Sequence, residues 1–172
     1  MDGGNISMTT RFVPGPDHTR ALRTAFGSFA TGVTVITTRT DEGPVGMTAN
    51  SFSSVSLDPA LALWSIDKKS DRFDVFTRAE RYAIHVLAED QTDLSNGFAR
   101  HAGFCAEVDW YEGTDGVPVL PGVLSRFDCA LDASHDAGDH VILIGRILEV
   151  EARDGAPLLF TGGQYGKAQA LS

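Results

Sequence analysis

Four segments hold residues whose types and spacing can do chemistry. The run GMTANSFSSVS over 46–56 sets Thr48, Asn50, Ser51, Ser53, Ser54 and Ser56 among small residues. Short side chains let a ligand approach the main chain, where hydroxyls and N–H groups donate to phosphate or polyol oxygens. The same composition also suits a loop bonded to itself through Ser and Thr turns. Thr31, Gly32 and Val33 stand at a helix-to-strand joint, where a glycine stops a helix or leaves room for a flat ring against backbone N–H groups. Lys68-Lys-Ser-Asp-Arg72 is the densest positive cluster of the chain. Cations beside a serine hydroxyl at a helix start suit a phosphate, although a solvated turn is the plainer fate. In Gly138-Asp-His140 a carboxylate can orient the neighbouring imidazole.

Other chemistries lack their residues. Cys105 and Cys129 are too far apart for a CxxC pair and read as reduced thiols, at least one of them in the core. The five histidines form no HExxH pattern or metal cage, so no metal is expected. There is no G-x-S-x-G elbow, no Walker loop and no GxGxxG.

The elements that must position these residues follow from periodicity. Ala21, Leu22, Ala25, Phe26 and Phe29 recur at helical spacing, which predicts a helix over 17–30 with Asp17 as N-cap and Gly32 as its stop. β-Branched and apolar runs predict strands over 33–38, 45–48, 60–66, 82–87, 124–133, 140–150 and 157–161. Short helices are expected over 71–79 and over 91–100, the latter capped by Asp90. Residues 109–122 read as loop, and Ala137-Gly138-Asp139 as a turn. Strands do not alternate with long helices, so a mainly antiparallel barrel with peripheral short helices fits better than a doubly wound sheet. A sandwich is also compatible with the length.

The 172 residues suit one domain, 17–172, behind a Gly-, Thr- and Pro-rich flexible arm over 1–16. Hydrophobic residues make up 42%, enough for a core without metal or disulfide staples. A net charge of −9 disfavours phosphate backbones, so nucleic acid is not an expected partner. No apolar run approaches the ~20 residues of a membrane span, and 1–11 has no signal-peptide pattern. A soluble cytoplasmic protein is the simplest expectation.

Taken singly, the plainer readings prevail; the order of the motifs changes that. TGVTVITT, GMTANSFSSVSLDPA, KKSDRF, GFARHAGF, GDHVILIGRI and PLLFTGGQY, in this order over 20–166, resemble the short-chain flavin reductases, the reductase partners of two-component flavin monooxygenases. Ala60 and Thr161 depart from that pattern. The resemblance implies an FMN-binding split β-barrel of Greek-key type, a homodimer, and hydride transfer from NADH or NADPH to FMN or FAD. Reduced flavin would then pass to an oxygenase. Such a reaction needs no protein acid, base or nucleophile, because the cofactors carry it. Carried over by motif, Thr31, Gly32, Val33, Thr48, Ala49, Asn50 and Ser51 surround the flavin ring and ribityl chain. Ser53, Ser54, Ser65, Lys68 and Ser70 take the chain and phosphate, with Arg72 beside them. Phe98 packs near the flavin, and His140 and Tyr165 face the nicotinamide. A non-catalytic FMN carrier or flavin store is the alternative, and an interaction module without flavin a third.

Overall fold

The computed structural model describes residues 9–101, 104 and 108–169. The first half of the expected arm and Cys105 lie outside them.

Among the described residues twelve strands and three α-helices follow one another. The strands are β1 (Thr31–Gly32), β2 (Thr34–Thr40), β3 (Gly43–Ala49), β4 (Ser53–Leu57), β5 (Ala60–Asp67), β6 (Arg81–Val86), β7 (Tyr111–Glu112), β8 (Pro118–Val119), β9 (Ser125–Ala137), β10 (His140–Ala152), β11 (Leu158–Thr161) and β12 (Gln164–Lys167). The helices are α1 (Thr19–Gly27), α2 (Phe73–Arg78) and α3 (Thr92–Arg100). Seven strands form one antiparallel sheet in the order β3-β2-β6-β9-β10-β5-β4. Its edges, β3 and β4, are consecutive in the chain and joined only by residues 50–52. Three residues span about 10 Å, so the sheet must curl until its edges meet at one end. They do not pair, and the barrel stays split, as the resemblance implies.

β2 shows why the sheet holds. Every residue from Thr34 to Thr38 is buried, because both faces are covered. Ile36 joins Trp64, Tyr82, Ile84 and Leu143 in one core. Its neighbour Val35 points the other way, into a second core with Leu87, Phe98, Leu120 and Leu158 under α3. His85 ties the two layers. Its Nδ1–H donates to the Val35 carbonyl at 3.1 Å, and its Nε2 accepts the Leu120 N–H at 3.2 Å. That geometry requires the neutral ring, and burial pushes its pKa down to about 4.

The structure corrects several boundaries. The first helix ends at Gly27, well before Gly32, where the Ser28 N–H donates to the Ala25 carbonyl and the Phe29 N–H to the Phe26 carbonyl. Asp17 lies inside a short 3-10 turn, not at an N-cap, and no side chain caps α3 either. No residue of α1 is buried: Ala21 and Leu22 of its apolar stripe are half-buried, and Ala25 and Phe26 are exposed within this chain. In the run over 46–56, Gly46–Ala49 belong to β3, as the strand predicted over 45–48 implies, and Ser53–Ser56, which also suit a loop by composition, belong to the edge strand β4. A further hairpin, β11–β12, turns at Gly162 and Gly163, both at positive φ, and pairs with β1 through β11. The two cysteines resolve in part: Cys129 is a buried free thiol.

Candidate functional site

Four elements converge on one cavity of about 320 Å³. β3 supplies Met47, Thr48 and Ala49, and Asn50 follows at the strand end. The turn before α2 supplies Ser70, Asp71 and Arg72. α3 supplies Ser95 and Ala99, the β11–β12 hairpin supplies Phe160 and Tyr165, and Val33 closes the floor. A second cleft of about 430 Å³ adjoins it through Asn50 and Phe160, lined further by Arg23, Phe26, Phe29 and Thr31.

Local sequence explains each placement. β3 is an edge strand, so one row of its backbone N–H and C=O groups has no strand partner and can meet a ligand. The Thr48 hydroxyl donates to the Ser95 carbonyl at 2.6 Å, fastening β3 to α3. Ser70 turns the chain into α2, its Oγ accepting the Arg72 N–H at 3.2 Å. The Arg72 side chain is 6% exposed and donates from Nη1 to the Phe98 carbonyl. Its buried Nε makes no hydrogen bond; the Asp71 carboxylate, largely exposed, lies 3.5 Å from it. Buried cations are kept by partners, so an unsatisfied guanidinium N–H in a cavity wall suits an oxygen of a bound anion or carbonyl. Thr31 Oγ is likewise buried without a hydrogen bond, in the second cleft. These orphan donors fit a ligand with several oxygens.

The structure therefore brings Val33, Thr48, Ala49, Asn50, Ser70, Arg72 and Tyr165 together, with Thr31 next door. Gly32 is exposed beside them. The other expected residues stand elsewhere. Ser51 Oγ donates to the Ser65 carbonyl at 3.1 Å and accepts the Ser65 N–H at 2.9 Å, so these two serines clamp β5 to the turn after β3. Ser53 and Ser54 are exposed on β4, opposite Leu63 and Ala62. Lys68 is held at the β9–β10 turn, donating to the Gly138 carbonyl at 2.6 Å and pairing with Asp136. His140 stands at the same turn, its Nδ1 2.7 Å from Asp139 Oδ1; the imidazole holds the Asp139 carboxyl below its usual range. Phe98 is 2% exposed and packs behind β3, against Gly46 and Phe104, not in the cavity wall.

Sequence reasoning missed Ser95. It is fully buried on α3, one turn before Phe98, and that spacing is the signal that places it on the inner face. Met47, Ala99 and Phe160 carry no chemical signature and are visible only through the fold. Among the described residues no group of His, Cys, Asp and Glu could hold a metal ion, and no helix is long and apolar enough to cross a membrane.

Comparison with known proteins gives consistent matches. The sequence profile of the flavin reductase like domain matches residues 26–169. An FMN reductase (NADH) of Agrobacterium fabrum is 53% identical over 156 residues, covering 91% of this chain and 90% of that protein. The reductase component of a flavin-dependent trigonelline monooxygenase of Acinetobacter baylyi is 49% identical over 85% of this chain, which spans 48% of that protein. An NADH:FAD oxidoreductase of Streptomyces globisporus, solved with NAD and FAD fragments, superposes with a TM-score of 0.85 at 33% identity, covering 92% of this chain and 98% of that one.

Proposed function

This chain belongs to the flavin reductase like domain family, and from that premise we propose that the cavity under the β11–β12 hairpin holds the ring system of the flavin that the protein reduces with NADH. The observation that carries the reading is convergence. Residues from GMTAN, from KSDR and from QY near the C-terminus, far apart in sequence, line one cavity that an edge strand and a buried arginine share. Its volume is at the lower end for small-molecule sites and suits one ring system. The adjoining cleft leaves room for a second group beside it.

The protein is an NADH-dependent flavin reductase of the kind that supplies reduced flavin to a separate monooxygenase. Bound flavin and dihydronicotinamide supply the hydride chemistry between them. The chain's own residues bind and orient. The outer edge of β3 and Asn50 present amide groups to a ring. Ser70 and Arg72 present hydrogens to oxygens, and the Arg72 charge favours the anionic form that reduction leaves. Val33, Ala49 and Phe160 exclude water. The resemblance alone assigns His140 to the nicotinamide and Lys68, Ser53 and Ser54 to the phosphate. These residues lie outside the cavity of their own chain.

We extend the reading to a homodimer. Val55 and Leu57 on β4 and Leu148 and Val150 on β10 are exposed, as are Phe26 and Phe29. Apolar surface of this extent marks an interface, and a second copy would cover it. A cytoplasmic location goes with use of NADH. The test is a steady-state assay of NADH consumption with and without added FMN or FAD. Consumption that depends on flavin supports the reading; none with either flavin rejects it.

A further inference from the structure

The positive cluster KKSDR does not stay positive once folded. β10 pairs with β5 so that His140 stands opposite Asp67, which sets the β9–β10 turn beside residues 67–70. The Lys68 N–H donates to the Asp139 carbonyl at 2.9 Å and fastens the two turns together. The Lys68 ammonium donates to the Gly138 carbonyl at 2.6 Å and pairs with the Asp136 carboxylate from the end of β9. Lys69 meets carboxylates as well. Its N–H donates to Asp67 Oδ1 at 2.8 Å, and its charge, after the hydrogen bond and charge of His140, helps hold the Asp139 carboxyl below its usual range. Asp71 lies 3.5 Å from Arg72 Nε. At these two turns four carboxylates, from Asp67, Asp71, Asp136 and Asp139, therefore stand against the three permanent cations of KKSDR.

The same turn reaches the cavity, because Ser70, Asp71 and Arg72 line it. Lys68 is two residues before Ser70, at most about 7 Å of chain away. A phosphate on a tail that leaves the cavity past Ser70 meets the Lys68 ammonium and must share it with Asp136. The Lys68 side chain is 35% exposed. At such a site one ion pair is a small attraction, and a carboxylate already on the ammonium offsets much of it. We propose that Asp136 is a specificity-determining residue: by pairing with Lys68 it weakens the hold of the site on the phosphate of a bound ligand. On the flavin reductase reading, on which this rests, that phosphate belongs to the flavin tail or to the nicotinamide nucleotide. In either case Asp136 acts through Lys68 and touches no ligand.

The test removes the charge and keeps the shape. Asp136→Asn retains an oxygen for the ammonium, and the Gly138 carbonyl still holds it. KM is measured in two arms: FMN against riboflavin, and NADH against a benzyl dihydronicotinamide. The second member of each pair has no phosphate. In one arm the KM of the phosphate-bearing ligand should fall about 2- to 5-fold relative to its phosphate-free counterpart, the range of one partly exposed ion pair. The arm that responds identifies the source of the phosphate. The gain should shrink at about 1 M salt, where charges are screened within ~3 Å, and should be lost in a Lys68→Met background. No relative fall in either arm would overturn the proposal, and this is the result that a purely structural role of Asp136 would give. A gain undiminished by Lys68→Met would overturn it as well. Wild-type protein that oxidises NADH with neither flavin would reject the flavin reading, and the proposal with it.

Discussion

Gly46 and Phe98 share one space: a Cβ at position 46 would overlap Cε1 and Cδ1 of the Phe98 ring. The ring presses on bare β3 backbone and seats α3, which carries Ser95 and Ala99 into the cavity wall. Phe98 therefore shapes the site from behind. Gly46→Ala should force that ring aside and destabilise the fold by about 1–3 kcal/mol. Denaturant unfolding checks it, and weaker flavin binding should accompany the loss. A variant of unchanged stability would mean that α3 shifts freely.

Asn50 borders both the cavity and the adjoining cleft. Asn50→Leu puts apolar bulk where an amide meets the ligand, so flavin affinity should fall roughly tenfold or more. Fluorescence titration with a matched stability measurement decides. Equal affinity would move Asn50 off the site.

Ser51 makes the contrasting case. Its hydroxyl is used twice, as donor and acceptor, on the Ser65 backbone. Ser51→Ala leaves the Ser65 N–H without that partner, at a cost of about 1–3 kcal/mol. Stability should fall while flavin affinity stays near wild type. A large drop in affinity at unchanged stability would return Ser51 to the ligand.

His85 sets an acid limit. Burial lowers its pKa from 6.5 to about 4. Between those values the unfolded chain binds the extra proton and the folded one does not. Its contribution is therefore complete above about pH 6.5 and is lost as the pH falls through about 4. Protonation would remove the Nε2 acceptor of the Leu120 N–H and loosen the segment leading into β9. The unfolding free energy should drop by roughly 3 kcal/mol from this group across the window. His85→Gln, which keeps a donor and an acceptor, should flatten that slope. Parallel pH profiles for the two proteins would contradict the assignment.

Much of the fold is legible in the sequence where period and β-branching agree, as in β2, β5, β6, β9 and β10. β4 is not, because an exposed edge strand does not need apolar residues: Ser53 and Ser54 look like a loop and pair with β5 all the same. β12 is hidden in Gln164-Tyr-Gly-Lys, where the Gly162–Gly163 turn sets the pairing and composition says nothing. The site divides in the same way. Motif order brings Thr48, Ala49, Asn50 and Ser70 to the cavity. Lys68, at the head of the same KKSDR motif, goes instead to the β9–β10 turn, because Asp136 and the Gly138 carbonyl hold its ammonium there. Which serines spend their hydroxyls on the backbone depends on what the fold sets beside them, as it sets Ser65 beside Ser51.

The central claim is that this chain passes hydride from NADH to a flavin held under the β11–β12 hairpin. Its most direct test is anaerobic mixing of the protein with flavin and NADH, following the visible flavin absorbance, in wild type and in Asn50→Leu. The account predicts bleaching of the flavin in step with NADH loss, fast in wild type and slowed in the variant at subsaturating flavin. No bleaching in wild type would contradict the activity, and equal rates in the two proteins would contradict the cavity as its place.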